Sequence, residues 1–123
     1  MAANKLLRFG PVALGASAAN IVNPPTLTGG TGLAGTNSNT YVILRHIRLV
    51  NKTAAAATAS LFIGATGGSA AGTEFLGSAI AIPANSYVDY YGATRLDVAD
   101  FLTGLASAAT TITFEAEGEI GVV

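Results

Sequence analysis

The chain has 123 residues, a length that leaves room for one hydrophobic core, so a single domain over 1–123 is expected. Half of it is apolar and its mean hydropathy is +0.51, but Arg45, Arg48, Gly64 and Pro83 break every run approaching the roughly 20 residues of a spanning helix, which excludes a helical membrane protein. Charged residues make up 11% and the net charge is −1, too little positive charge to neutralise a phosphate backbone, so nucleic acid is excluded as a partner.

Strand-like segments recur between turn signals, and no polar stretch carries a helical period. A first strand is expected at Lys5–Phe9, ended by Gly10-Pro11, and a second at Asn20–Val22, ended by Asn23-Pro24-Pro25. From Thr26 to Asn39 the composition is Gly, Thr, Asn and Ser. A loop of that length needs a role, and 1–40 is read as an N-terminal arm and contact loop. Tyr41–Asn51 is the strongest strand, rich in β-branched and aromatic residues. Strict alternation sets Tyr41, Ile43, Arg45, Ile47 and Leu49 on one face against Val42, Leu44, His46, Arg48 and Val50 on the other. Ala59–Thr66 follows, then a loop at Gly67-Gly68-Ser69, a strand at Phe75–Ile82 and a turn at Pro83-Ala84-Asn85-Ser86. Tyr87–Gly92 comes next, with Val88 and Tyr90 opposite Tyr87, Asp89 and Tyr91; Leu96–Leu102 continues it after a break. The last strand, Thr111–Gly118, has the cleanest period of two, with Ile112, Phe114 and Ala116 on one face and Thr111, Thr113, Glu115 and Glu117 on the other. Seven to eight short strands of this kind predict an all-β, antiparallel, jelly-roll-like sandwich, with a small closed barrel as the alternative.

The sequence assembles no catalytic or cofactor chemistry. Gly30-Thr31-Gly32-Leu33-Ala34-Gly35 matches the dinucleotide fingerprint G-x-G-x-x-G, but no strand leads in and no helix follows, so it reads as plain loop. His46 is the single histidine, in a strand interior, and Gly15-Ala16-Ser17-Ala18-Ala19 lacks the closing glycine of a nucleophile elbow, so no triad is expected. Asp97 and Asp100, and the alternating Glu115, Glu117 and Glu119, invite a metal or glycosidase reading; charges that guard a sheet edge explain the stripe without one. Cysteine is absent, which leaves no disulfide or thiolate site. Arg45 and Arg48, assigned to opposite faces, require that at least one be buried and paired with a carboxylate, for which Asp89, Asp97, Glu115 and Glu117 are candidates. Tyr87, Tyr90 and Tyr91 form an aromatic group suited to a subunit contact or to stacking on sugar rings beside Asp89.

Leu44-Arg45-His46-Ile47-Arg48-Leu49-Val50-Asn51-Lys52-Thr53, Leu61-Phe62-Ile63-Gly64-Ala65, Ile82-Pro83-Ala84-Asn85-Ser86 and Leu96-Asp97-Val98-Ala99-Asp100-Phe101-Leu102, with the closing strand, resemble small virion structural proteins of tailed bacteriophages. The resemblance spans Leu44 to Val123. It implies a capsid decoration (cement) protein, with a minor tail or fibre subunit or a carbohydrate-binding sandwich as alternatives, and no catalytic residues. Partners would be copies of the chain, most simply in a trimer, and major capsid or tail proteins. Met1–Arg8 has no apolar run of signal-peptide length, so synthesis in the host cytoplasm and residence in the virion are expected. The low charge agrees, because a surface of Ala, Gly, Thr and Ser suits burial by neighbours. Arg45, Arg48, Tyr87, Tyr90, Tyr91, Gly30, Gly32 and Gly35 are the expected interface residues, and Lys5–Phe9 joins the loop in making contacts.

Overall fold

The computed structural model describes residues 5–22, 40–64, 73–97 and 100–122. They contain eight strands and no helix: β1 Lys5–Ala13, β2 Ala19–Val22, β3 Thr40–Asn51, β4 Ala57–Gly64, β5 Glu74–Ile82, β6 Ser86–Leu96, β7 Phe101–Ala106 and β8 Ile112–Val122. All pairing is antiparallel, in two separate four-stranded sheets of order β1-β8-β3-β6 and β2-β7-β4-β5. The fold is therefore an all-β sandwich, and the barrel alternative falls. Among the described strands only β4 and β5 are consecutive members of one sheet; every other consecutive pair is divided between the two sheets.

The core lies between the layers. Phe9, Leu44, Ile47, Leu49, Leu61, Leu102 and Phe114 are fully buried in it. Each such side chain contributes on the order of 1.5–3 kcal/mol by leaving water. In β8 the expected alternation holds: Ile112, Phe114 and Ala116 face inward and are completely buried.

The alternation expected of β3 fails at one residue. Against β8, Leu44 pairs with Gly118 and His46 with Glu117, so Arg45 is an extra residue in that ladder; against β6, where Leu44 pairs with Thr94 and His46 with Tyr91, the shift runs the other way and Gly92 and Ala93 lie opposite Arg45. A bulge of this kind shifts the phase of everything that follows. Val42 and Leu44 before it and Ile47 and Leu49 after it consequently all point into the core. Gly118 makes room for the bulge. A Cβ there would lie 2.0 Å from the Ile43 carbonyl oxygen, a contact no side chain tolerates. Arg45 and Arg48 are thus not on opposite faces: both lie on the outer side, with 56% and 40% of their side chains exposed.

Several other expectations are corrected. β1 continues past Gly10-Pro11 to Ala13, with its register shifted between Phe9 and Val12. Lys5–Ala13 and Ala19–Val22, which fall in the expected arm, each form one of the two outer strands of a sheet. β6 runs through Gly92 to Leu96, and the expected strand Leu96–Leu102 is divided, since β6 ends at Leu96 and β7 begins at Phe101. There Asp100 N–H donates to Asp97 O and Asp97 N–H to the Asp100 carboxylate, both at 2.9 Å. β8 lies between β1 and β3, so its glutamates do not guard an edge. The turn before β6 matches expectation, with Asn85 in the left-handed region (φ 51°).

Asn51 ties the layers together at the end of β3. Its buried amide donates to Ala55 O at 2.9 Å and to Ile82 O, on β5 of the other sheet, at 3.0 Å. Its Oδ1 accepts from Thr53 N–H and Thr53 Oγ1. All four hydrogen-bonding sites of the side chain that face protein are used, as a buried amide requires.

Candidate functional site

The two sheets present different faces to their surroundings. Of the six basic and seven acidic residues, nine lie on strands β1, β3, β6 and β8, while the other sheet carries one, Glu74. The candidate site is the outer face of the charged sheet, and the bulge at Arg45 builds it. By re-phasing β3 it turns Arg45, His46 and Arg48 outward together.

Pairing register then sets out the face in rows. His46 lies between Tyr91 on β6 and Glu117 on β8, and Arg8 of β1 lies beyond Glu117. In the next row Arg48 lies between Asp89 and Glu115. Asp89 is the hub. Arg48 grips it with both ends of the guanidinium, Nε to Oδ1 at 2.7 Å and Nη2 to Oδ2 at 3.1 Å, the planar fork geometry that arginine alone supplies. His46 Nε2 lies 3.0 Å from the same Oδ1; an ionised carboxylate only accepts, so Nε2 carries the proton. The hydrogen bonds from Arg48, then that from His46, hold the Asp89 carboxyl down at about 2, and the same contact with Asp89 raises Arg48 above its ordinary range.

Aromatic rings flank this hub. The His46 and Tyr91 rings stack with centroids 4.6 Å apart and planes 13° from parallel. The Arg48 guanidinium sits over the Tyr87 ring at 4.4 Å, and Arg95 over Tyr41 at 4.1 Å, each a cation–π contact. Tyr87 and Tyr91 nevertheless remain 53% and 70% exposed. Arg45 pairs with Glu119, a carboxylate outside the expected candidates, while Arg48 takes Asp89, one of them.

Glu115 is the strained member. Its Oε1 is buried without a hydrogen-bond partner among the described residues. Burial first, and the neighbouring Glu117 charge second, push its carboxyl up, against the opposing pull of His46 and Arg48.

Of the residues expected at an interface, Arg45, Arg48, Tyr87 and Tyr91 share this face. Tyr90 does not. It turns inward against the core, meets Phe75 edge-on at 5.3 Å and hydrogen-bonds Thr94 Oγ1 at 3.2 Å. A three-tyrosine platform for sugars is therefore not assembled. Gly30, Gly32 and Gly35 lie outside the described residues. His46, Asp89 and Glu115 complete the face; the missed signal was Gly118, placed opposite a strand with two charges and a histidine in four residues.

Two concavities are notable, and the first lies on the site itself. One of about 430 Å³ on the charged face is lined by Leu6, Arg8, Arg45, His46, Glu117 and Gly118. The other, about 370 Å³ and mostly apolar, opens between β1 and β2 beside Val12, Leu14 and Ile21. Among the described residues no group of three or more His, Asp or Glu is placed to hold a metal ion. Comparison with family models, with curated proteins and with solved structures finds no match.

Proposed function

We propose that this chain is a structural subunit of a tailed-phage virion, a capsid decoration protein that stabilises the shell by packing between its subunits and against copies of itself. The observation that carries the reading is the segregation of charge. One sheet holds nine of the thirteen charged residues of the chain, and the other turns outward Thr58 of β4 and Phe101 and Leu105 of β7, with Glu74 as its one charge. A face so poor in charge suits burial against a neighbouring protein, while the charged face suits water or a polar contact.

Topology supports the same reading. The orders β1-β8-β3-β6 and β2-β7-β4-β5 support reading the sandwich as a double Greek-key jelly roll, an architecture used by viral capsid proteins as well as by lectins and cupins. Fold alone does not choose among them. The inward turn of Tyr90, and the engagement of Tyr87 and Tyr91 by Arg48 and His46, weigh against the lectin.

The test is to add purified protein to capsids lacking it, and to measure occupancy and the temperature at which the shell opens. Saturable binding to the shell with delayed opening is expected. Binding confined to tails would move the assignment to a tail subunit, and absence of binding to any part of the particle would overturn the virion reading.

A further inference from the structure

Every sandwich of two open sheets has four outer strands, and each is a template on which another strand can add unless something blocks it. Three of the four are blocked here. β1 carries Pro11, which has no N–H to offer, and a register shift between Phe9 and Val12. β2 has only four residues and is itself irregular. β5 is broken by a shift opposite Ala59–Leu61, with Ala79 in the left-handed region at φ 55°. β6 is different. From Ser86 to Tyr91 it pairs with β3 residue for residue without interruption, contains no proline, and among the described residues has no strand on its other side. Its two charged residues give that side no protection, because Asp89 is turned to Arg48 and His46, and Arg95 to Tyr41 and Asp97.

The outward-facing side chains of this segment read the same in both directions. Outward-facing Tyr87, Asp89 and Tyr91 are symmetric about Asp89, and the core-side residues Val88 and Tyr90 flank it as an apolar pair. We propose that Ser86–Tyr91 is the edge along which two copies of the chain pair, antiparallel about a two-fold axis at Asp89, joining two charged sheets into one. In that register Tyr87 of each copy faces Tyr91 of the other, and Val88 faces Tyr90. Aromatic and aromatic–aliphatic cross-strand pairs are among the stabilising ones. The two aspartates meet on the axis, where like charges would repel; each is already neutralised by the two-ended grip of its own Arg48. A two-fold contact needs such a self-complementary patch. This inference rests on the self-association part of the proposed function and not on the virion part.

The chain has no cysteine, so single cysteines report the register directly. Facing residues of an antiparallel pair lie within disulfide reach, whereas positions four apart on a strand are separated by roughly 13 Å and are not. Tyr87→Cys and Tyr91→Cys, both at exposed sites, are made separately, checked for folding by circular dichroism, and oxidised with diamide alone and mixed. The expected result is a covalent dimer in the mixture and little or none in either variant alone. Sedimentation of the unmodified protein, which needs no variant to fold, should show a dimer. A monomer, a trimer, or cross-links that form equally in the single-variant samples would overturn the pairing. Shell binding is measured on the unmodified protein as above, so loss of the dimer with binding retained rejects this edge and leaves the decoration reading standing.

Discussion

Replacing Asn51 by aspartate changes one atom's chemistry at a point where both sheets depend on it. The acceptor side of the residue survives, since Thr53 N–H and Oγ1 can still donate to a carboxylate. The donor side is lost: an oxygen now faces the carbonyls of Ala55 and Ile82 at 2.9 and 3.0 Å. The buried Ile82 carbonyl, left unpaired, costs about 1–3 kcal/mol, whereas Ala55 is exposed and its carbonyl has Thr53 Oγ1 within reach as another donor at 2.9 Å. A poorly compensated charge in the interior adds to that, so Asn51→Asp should lose roughly 3–5 kcal/mol, out of a total that for a domain is about 5–15 kcal/mol. In thermal unfolding followed by circular dichroism this corresponds to a fall in Tm of roughly 10–20 °C. Asn51→Ala, which introduces no charge, should lose less. The sign with pH is also determined. The introduced carboxyl would have a folded pKa above its unfolded value, so the deficit should shrink as pH falls toward about 4, where the protonated group can again donate to one carbonyl. If Asn51→Asp stays within about 1 kcal/mol of the parent at neutral pH, Asn51 serves only the turn and the link between the layers is not as described.

The two perturbed carboxylates should titrate stability in opposite senses. Glu115 has a raised pKa, so the stability linked to its proton is present below the ordinary Glu range and is lost as pH rises through its folded value; Glu115→Gln should raise Tm at neutral pH and lose that advantage in acid. Asp89, held at about 2 against an ordinary 3.8, contributes stability that is present above the ordinary value and lost as pH falls toward about 2; Asp89→Asn should flatten that acid limb of a Tm–pH profile. Gly118→Ala should destabilise by about 1–3 kcal/mol through overpacking against the Ile43 carbonyl, and amide chemical shifts should move most around Arg45 and His46; a neutral effect there would argue against the bulge. Tyr90→Ala should cost about 2–3 kcal/mol in urea unfolding, while Tyr91→Ala should stay within about 0.5 kcal/mol; equal losses would contradict the inward turn of Tyr90.

Much of the fold was legible because local patterns sufficed for it. β8 alternates from Ile112 onward without a break, and a strand that buries one face must show that period. The turn at Pro83–Ser86 was legible from residues that favour a turn, Asn85 above all. What sequence could not supply were features fixed by distant partners. The extra residue at Arg45 is invisible along β3 itself, since its cause is the backbone space beside Gly118, more than seventy residues away. A strict period of two therefore put Arg45 and Arg48 on opposite faces, and tertiary pairing put them on one. The glutamates of β8 looked like edge charges because nothing local says that β1 and β3 will flank them. Asp89 became a hub only through antiparallel register with Arg48 and His46, forty and more positions earlier. Alternation is a property of a strand, but which face it shows and which charges meet there are properties of the pairing, and pairing is decided by the sheet as a whole.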